Sequence, residues 1–217
     1  MHIPDGFVNV GTAAVTYVGS AGAIAYSVRR TNVELREREV PLMGVMAAFI
    51  FAAQMINFTV AGGTSGHLLG GALAAILLGP WAGTLIITAV LAVQALIFQD
   101  GGLLALGANI FNMAVIGVWS GYAVYALLGR IARGPRGIWL RGFVAGWVSV
   151  VLASLVAAVE LAVSGVSPLS VVLPAMGVVH ALIGVGEGLI TAAVLAFLGA
   201  TRKDLLDLRA THAGGAQ

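Results

Sequence analysis

Two histidines and the amino terminus of this chain have the chemistry of a metal chelate. The free amine of Met1, the main-chain nitrogen of His2 and the imidazole of His2 can close adjacent five- and six-membered rings around one divalent ion. A fourth nitrogen, from His67, would complete a square plane, which suits nickel or copper(II) and does not suit zinc or magnesium. We expect Met1 to remain on the chain, because removal of an initiator methionine normally requires a small second residue.

His67 closes a glycine-rich stretch, Gly-Gly-Thr-Ser-Gly-His, at residues 62–67. Glycine lets the backbone turn tightly there, so the loop can carry His67 inward. For each histidine the alternative interpretation is structural: His2 as an incidental residue beside the start, and His67 as a hydrogen-bonded loop residue. The chain has no cysteine, so thiolate metal sites and disulfides are excluded.

The composition indicates a membrane protein. Of the 217 residues, 59% are apolar and only 9% are charged, and 30 are glycine. A long chain with so few charges belongs in the bilayer, and abundant glycine is typical of helices that approach one another closely in lipid.

The basic residues predict the orientation. All 11 Lys and Arg fall in three clusters, at residues 29–38, 130–141 and 202–209. The positive-inside bias makes these loops cytoplasmic, and their position between apolar segments argues against a nucleic-acid surface. The number of crossings between successive clusters must then be even.

Seven apolar segments satisfy this condition, each judged against the ~20 residues that a span needs. They are predicted at residues 8–28, 41–60, 67–78, 81–98, 104–128, 139–163 and 174–199. The third is too short to cross the bilayer as a helix and is predicted to be short, tilted or buried in protein. The fold class is therefore an all-α integral membrane protein of seven transmembrane helices, with the N-terminus outside and the C-terminus inside. Residues 1–200 form the membrane-embedded metal-binding domain, and 201–217 a cytoplasmic tail.

Polar side chains within the spans are the remaining candidates for function. Asn57 and Asp100 lie near the outer face and are predicted to orient the ligating histidines, since a metal-bound histidine usually donates its second ring N–H to a neighbour. The alternative is plain hydrogen bonding between helices. His180 and Glu187 are seven residues apart on one helical face, and a carboxylate inside a span indicates either function or a packed, hydrogen-bonded charge.

No enzyme motif is present: the chain has no His-Glu-x-x-His, no Gly-x-Ser-x-Gly and no Walker sequence. It is not predicted to be an enzyme, and uphill transport would require energy from another protein.

Four stretches together resemble a known family. They are the opening Met-His-Ile-Pro-Asp-Gly, residues 57–71 around the glycine-rich histidine motif, residues 94–113 around Asp-Gly-Gly and Leu-Gly-Ala-Asn, and residues 180–187 ending in Gly-Glu. They resemble the CbiM/NikM family, the substrate-specific (S) components of energy-coupling factor importers for cobalt and nickel. The resemblance covers the chain to about residue 200 and places the family's ligands on Met1, His2 and His67.

The resemblance implies that the protein binds Ni²⁺ or Co²⁺ at the outer face of a prokaryotic cell membrane and delivers it inward. The metal is a transported substrate, and no permanent cofactor is expected. The implied partners are membrane lipid, a two-span accessory membrane protein, a transmembrane coupling protein and ATPase subunits; no nucleic acid is implied.

Two other functions are considered. A self-sufficient channel or secondary carrier would use Glu187 and His180 as a relay, and its flux would survive loss of His67. A non-transporting scaffold would bind no metal. The residues do not decide between nickel and cobalt.

Overall fold

The computed structural model describes residues 1–60, 64–202 and 205–206. Helices dominate this part of the chain. They are α1 (Val10–Glu34), α2 (Val40–Gln54), α3 (Gly71–Leu78), α4 (Pro80–Phe98), α5 (Leu106–Leu128), α6 (Gly134–Val163) and α7 (Leu169–Thr201). A single 3₁₀ turn, Glu37–Glu39, precedes α2.

The prediction of a helical membrane protein is confirmed. Within the described residues, four helices (α4 to α7) are long and apolar enough to cross a membrane. The other three fall short for different reasons: α2 has 15 residues, α3 has eight, and the inward face of α1 is polar. The count of seven crossings and the orientation therefore remain predictions.

The second predicted span was too long. Helix α2 ends at Gln54, and strand β1 (Phe58–Val60) pairs antiparallel with β2 (Thr64–Gly66). Residues predicted to be the end of a helix and a flexible loop are thus a small hairpin, a local exception to the all-α class. The physical reason is that Thr59 and Val60 are β-branched and are followed by a glycine-rich sequence.

Helix α3 is short and enclosed by protein, as predicted. All eight of its residues are buried, and at 1.5 Å per residue it spans only about 12 Å. It stops where Gly79 adopts a φ of 97° and Pro80 begins α4. A positive φ suits glycine, and proline is favoured in a helix's first turn, so this pair separates the two helices.

Helices α6 and α7 pack closely, which fixes where the residues of α7 lie. Each begins about five residues before its predicted span. A Cβ atom added at Gly188 would lie 2.6 Å from the main-chain oxygen of Phe143, and one at Gly146 would lie 3.1 Å from that of Glu187. Only glycine permits this approach of the two backbones.

The predicted cytoplasmic tail lies almost wholly outside the described residues. His212, and Lys203 and Arg209 of the third basic cluster, lie outside them. Gly62 and Gly63 of the glycine-rich stretch also lie outside the described residues.

Candidate metal centre

The first three residues fold back into the protein. Met1 and Ile3 have no exposed surface, and His2 is 4% exposed. The Met1 amine donates to the main-chain oxygen of Ser65 and lies 3.1 Å from its Oγ, which also accepts from the His2 main-chain N–H at 3.1 Å. The amino terminus therefore lies against the hairpin that precedes His67.

Asn109 anchors this segment from helix α5. Its Oδ1 accepts from the Ile3 main-chain N–H at 2.8 Å, and its Nδ2 donates to the Ile3 main-chain oxygen at 3.0 Å. The same oxygen accepts from the Gly102 N–H at 2.9 Å. These bonds satisfy the main-chain polar groups of Ile3, which is buried and lies outside any helix or strand.

Asp5 and Gly102 hold the next part of the segment against the loop before α5. Asp5 Oδ1 accepts from the main-chain N–H groups of Leu104 at 2.7 Å and Ala105 at 3.3 Å. A Cβ atom at Gly102 would lie 2.1 Å from Asp5 Oδ1 and 2.3 Å from the Asp5 main-chain nitrogen. The segment can approach this closely only because residue 102 is glycine.

The His2 imidazole lies between two polar side chains. Its Nε2 is 3.0 Å from Oε1 of Gln94, and its Nδ1 is 3.3 Å from Oδ1 of Asp100. Gln94 begins the final turn of α4, which is π-helical from Gln94 to Phe98. Such π turns are frequent at functional sites.

His67 lies directly against His2. The two rings stack with their centroids 4.5 Å apart and their planes 26° apart. His67 Nδ1 is 2.7 Å from the Leu68 main-chain oxygen, and so carries the proton that it donates. Among the described residues, nothing hydrogen-bonds the buried Nε2. That atom therefore presents a lone pair inside the protein.

Burial keeps these nitrogens neutral. Desolvation lowers the pKa of the Met1 amine well below its usual value of 8.0, and lowers that of His67 well below 6.5. Desolvation, with the nearby terminal amine, lowers the pKa of His2 to about 3. His2 and Asp100 are close enough to form an ion pair, but the His2 imidazole is uncharged at neutral pH. Desolvation also raises the pKa of Asp100.

The structure brings together the residues predicted as ligands, Met1, His2 and His67. Asp100 contacts His2 directly. Asn57 contacts Asp100, because its Nδ2 donates to Asp100 Oδ2 at 3.0 Å. No group of three His, Cys, Asp or Glu side chains within the described ranges could hold a metal ion. A site here would therefore need donors besides these four kinds of side chain.

His180 and Glu187 make different contacts. Both carboxylate oxygens of Glu187 accept main-chain N–H groups, from Leu69 and Gly70. His180 is fully buried, with its Nδ1 2.9 Å from the Met176 main-chain oxygen and its ring near the Ser65 backbone. The two oxygens of Glu187 are thus engaged by the loop after His67.

The sequence analysis favoured Asn57 and Asp100 as supports of the histidines and did not assign Ser65, Gln94 or Asn109 to residues 1–3. Asn109 and Gln94 are polar residues within apolar helices, which is a signal of hydrogen bonding. Nothing in the sequence pairs them with residues 1–3, because the contacts span 92 and 106 residues.

Comparisons with known proteins agree on one family. A model of the CbiM family, described as the cobalt uptake substrate-specific transmembrane region, matches residues 2–205. The fused nickel transport protein NikMN of Rhodobacter capsulatus is 38% identical over 221 residues, covering 95% of this chain and 64% of that protein. The cobalt transport protein CbiM of Sorangium cellulosum is 34% identical over 224 residues, which is 95% of each chain.

A solved structure has the same fold. The crystal structure of a truncated transition metal transporter superposes with a TM-score of 0.86 at 34% identity, covering 92% of this chain and 99% of that one. The chain therefore belongs to the CbiM family of substrate-specific transmembrane components of cobalt and nickel uptake.

Proposed function

We propose that this protein captures Ni²⁺ or Co²⁺ at the extracytoplasmic face through four nitrogens. These are the Met1 amine, the main-chain nitrogen of His2, Nδ1 of His2 and Nε2 of His67. The observation that carries the proposal is the burial of these groups together, with the rings of His2 and His67 stacked at 4.5 Å.

The contacts of the two imidazoles indicate which of their nitrogens carry protons. His67 donates through Nδ1 to Leu68, and we assign His2 Nε2 as the donor to Oε1 of Gln94. Nε2 of His67 and Nδ1 of His2, which faces Asp100 at 3.3 Å, then carry lone pairs. This is the usual arrangement of metal-ligating histidines, in which the second ring N–H is donated to a fixed acceptor.

Charge supports a cation at this position. With Nε2 protonated, the Nδ1 lone pair of His2 faces a carboxylate oxygen of Asp100 at 3.3 Å. Two acceptors at that distance repel each other, and a divalent ion beside them removes the repulsion. Loss of the His2 main-chain proton would add one negative charge to the site, so that the loaded site carries about one positive charge before Asp100 is counted.

Delivery inward requires partners. The sequence contains no ATP-binding motif, so we propose that the protein is the capture subunit of an energy-coupling factor importer in a prokaryotic cell membrane. A transmembrane coupling protein, a two-span accessory protein and ATPase subunits would open the site and supply energy. If purified protein alone carries metal across vesicle membranes after His67→Ala, it is instead a self-sufficient carrier.

The test measures Ni²⁺ and Co²⁺ binding by calorimetry and absorption spectroscopy on purified protein that starts at Met1. One glycine added before Met1 displaces the amine and should abolish binding. His67→Ala removes one of four donors and should weaken binding about 100-fold or more, equivalent to about 3 kcal/mol. His212→Ala is the matched control and should bind like the unaltered protein. Unchanged affinity in the first two variants would refute the chelate.

A further inference from the structure

Helix α7 holds a carboxylate against the loop that carries His67. Glu187 Oε2 accepts from the Leu69 main-chain N–H at 2.9 Å, and Oε1 accepts from the Gly70 N–H at 2.6 Å. The side chain is 3% exposed, and Glu187 is 118 positions from Leu69 in the sequence. Two successive N–H groups thus bind the two oxygens of one carboxylate.

These N–H groups belong to irregular backbone. Residues 67–70 lie between β2 and α3, outside any helix or strand ladder. A buried main-chain N–H without an acceptor destabilises the fold, so an acceptor from elsewhere in the fold is needed. A carboxylate is an expensive choice inside an apolar helix, which makes a specific role the default hypothesis.

The same short segment is fixed from its other side. Gln54 Nε2, at the end of α2, donates to the Leu69 main-chain oxygen at 2.7 Å. Gly70 has a φ of 76°, and a Cβ atom there would lie 2.6 Å from Cγ1 of Ile50. The backbone at 69–70 is therefore held by α2 and α7 together in a conformation that glycine permits.

This segment is continuous with the support of the imidazole. The acceptor of His67 Nδ1 is the main-chain oxygen of Leu68, and that carbonyl belongs to the peptide unit whose N–H, at Leu69, binds Glu187. The oxygen of this peptide unit thus accepts from the His67 ring, and its N–H donates to the Glu187 carboxylate. Polarisation along such a chain of hydrogen bonds strengthens both.

We propose that Glu187 is a positioning residue for the metal site, which orients the His67 imidazole through the Leu68–Leu69 peptide unit. This inference rests on the proposed function of His67 as a ligand. It makes metal affinity depend on where α7 lies relative to the loop, because the carboxylate moves with that helix.

The experiment is a double-mutant cycle with nickel as the probe. Glu187→Gln retains the shape but offers one acceptor oxygen, so an amide NH₂ faces one of the two N–H groups. We expect Ni²⁺ affinity to fall about 10–100-fold, the usual effect of losing a residue that supports a ligand. The absorption spectrum of the bound ion should shift toward that of His67→Ala. In the double variant, Glu187→Gln should add less than about twofold to the loss caused by His67→Ala.

A matched control removes another buried carboxylate. Glu160 on α6 accepts from Asn112 Nδ2 at 2.6 Å and is 7% exposed. Glu160→Gln should leave the nickel spectrum unchanged. If Glu187→Gln binds nickel with unaltered affinity and spectrum, or if its loss adds fully to that of His67→Ala, the positioning role is wrong. The proposed function fails separately, through unchanged binding in His67→Ala itself.

Two further measurements cover a Glu187→Gln variant that does not fold. Glu187→Asp keeps the charge on a shorter side chain. If both variants fold, it should lose less Ni²⁺ affinity than Glu187→Gln. If only Glu187→Asp folds, its Ni²⁺ affinity should be lower than that of the unaltered protein. In the unaltered protein, the Leu69 and Gly70 amides should exchange hydrogen slowly. Exchange at the rate of a free loop would overturn the proposal without any variant.

Discussion

Gln94 is the residue that we expect to set the proton position on His2, because its Oε1 lies 3.0 Å from Nε2. If its oxygen holds Nε2–H, then Gln94→Ala should lower Ni²⁺ affinity about 10–100-fold while the protein stays folded. The measurement is a nickel titration by calorimetry. Thr88→Ala is the control, since it lies on the same helix and its hydroxyl has no hydrogen-bond partner among the described residues. Equal affinities in the two variants would contradict this role.

Asn109 is expected to contribute to stability as well as to the site. Asn109→Ala leaves the buried N–H and one bond of the Ile3 oxygen unmatched, so the free energy of unfolding should fall by about 1–3 kcal/mol. Thermal unfolding in detergent measures the change. Asn109→Asp would place a carboxylate oxygen against the Ile3 oxygen in a buried site, so it should destabilise the protein at least as much as Asn109→Ala. An unchanged midpoint for Asn109→Ala would mean that Ile3 is not anchored as described.

The lowered pKa values of Met1, His2 and His67 predict how metal binding depends on pH. Because burial favours the neutral amine and imidazoles, the folded site has fewer of their protons to lose, and binding releases chiefly the main-chain proton of His2. Affinity should therefore fall as pH decreases. The peptide Met-His-Ile-Pro-Asp-Gly must also lose protons from an amine of pKa about 8 and an imidazole of pKa about 6.5, so its affinity should fall more steeply.

The same shifts affect the stability of the metal-free protein. In each case the folded pKa is lowered, so the unfolded chain takes up protons that the folded chain does not. Stability should decline as pH falls below about 8 for the amine and below about 6.5 for the histidines, and continue to decline toward the His2 pKa of about 3. If the metal affinity of the protein fell with decreasing pH as steeply as that of the peptide, the site would not be desolvated.

At the scale of elements, the loop before α5 is predicted to seat the amino terminus. Gly102→Ala places a methyl group where Asp5 lies, so the segment of residues 1–5 must move and Ni²⁺ binding should be lost or fall at least about 100-fold, or about 3 kcal/mol. Gly22→Ala is the control, because a Cβ atom there meets nothing within 4 Å. Binding studies on both variants make the comparison, and full affinity in Gly102→Ala would contradict the close contact with Asp5.

The apolar segments of the sequence predicted the positions of most helices, and the differences from the structure have physical causes. The break at Gly79-Pro80 and the short buried α3 follow directly from residue type. The hairpin after α2 was missed because its apolar strand residues continue the hydrophobic run of the helix. The π turn at Gln94–Phe98 was not predictable either, since it depends on the tertiary contacts of Gln94.

For the whole molecule, the predicted orientation can be tested with single cysteines, because the chain has none of its own. Arg136→Cys lies at the start of α6 in the second basic cluster, and Ser167→Cys lies in the connection between α6 and α7. A membrane-impermeant thiol reagent applied to intact cells should label residue 167 and not residue 136. Opening the cells should expose residue 136. The reverse pattern would place the metal centre on the cytoplasmic side.

The proposed donors were predictable from the sequence, but most of their supports were not. Met1, His2 and His67 are identified by chelate geometry and by a specific motif. Their partners on α4, α5 and α7 are chosen by three-dimensional packing, which no local pattern encodes. Asp100 was predicted because it is one of few carboxylates near the outer face, and the structure places it on His2.

The buried amino terminus has a consequence for biosynthesis. Its contacts join residues separated by 64 and 106 positions, and the Glu187 contact joins residues separated by 118. The ribosome makes the first residue long before Ser65 and Asn109 exist, so residues 1–3 must wait unburied while later helices insert. A nascent chain stalled before α7 would lack the carboxylate that holds its histidine loop, and we expect it to bind nickel or cobalt more weakly than the finished protein.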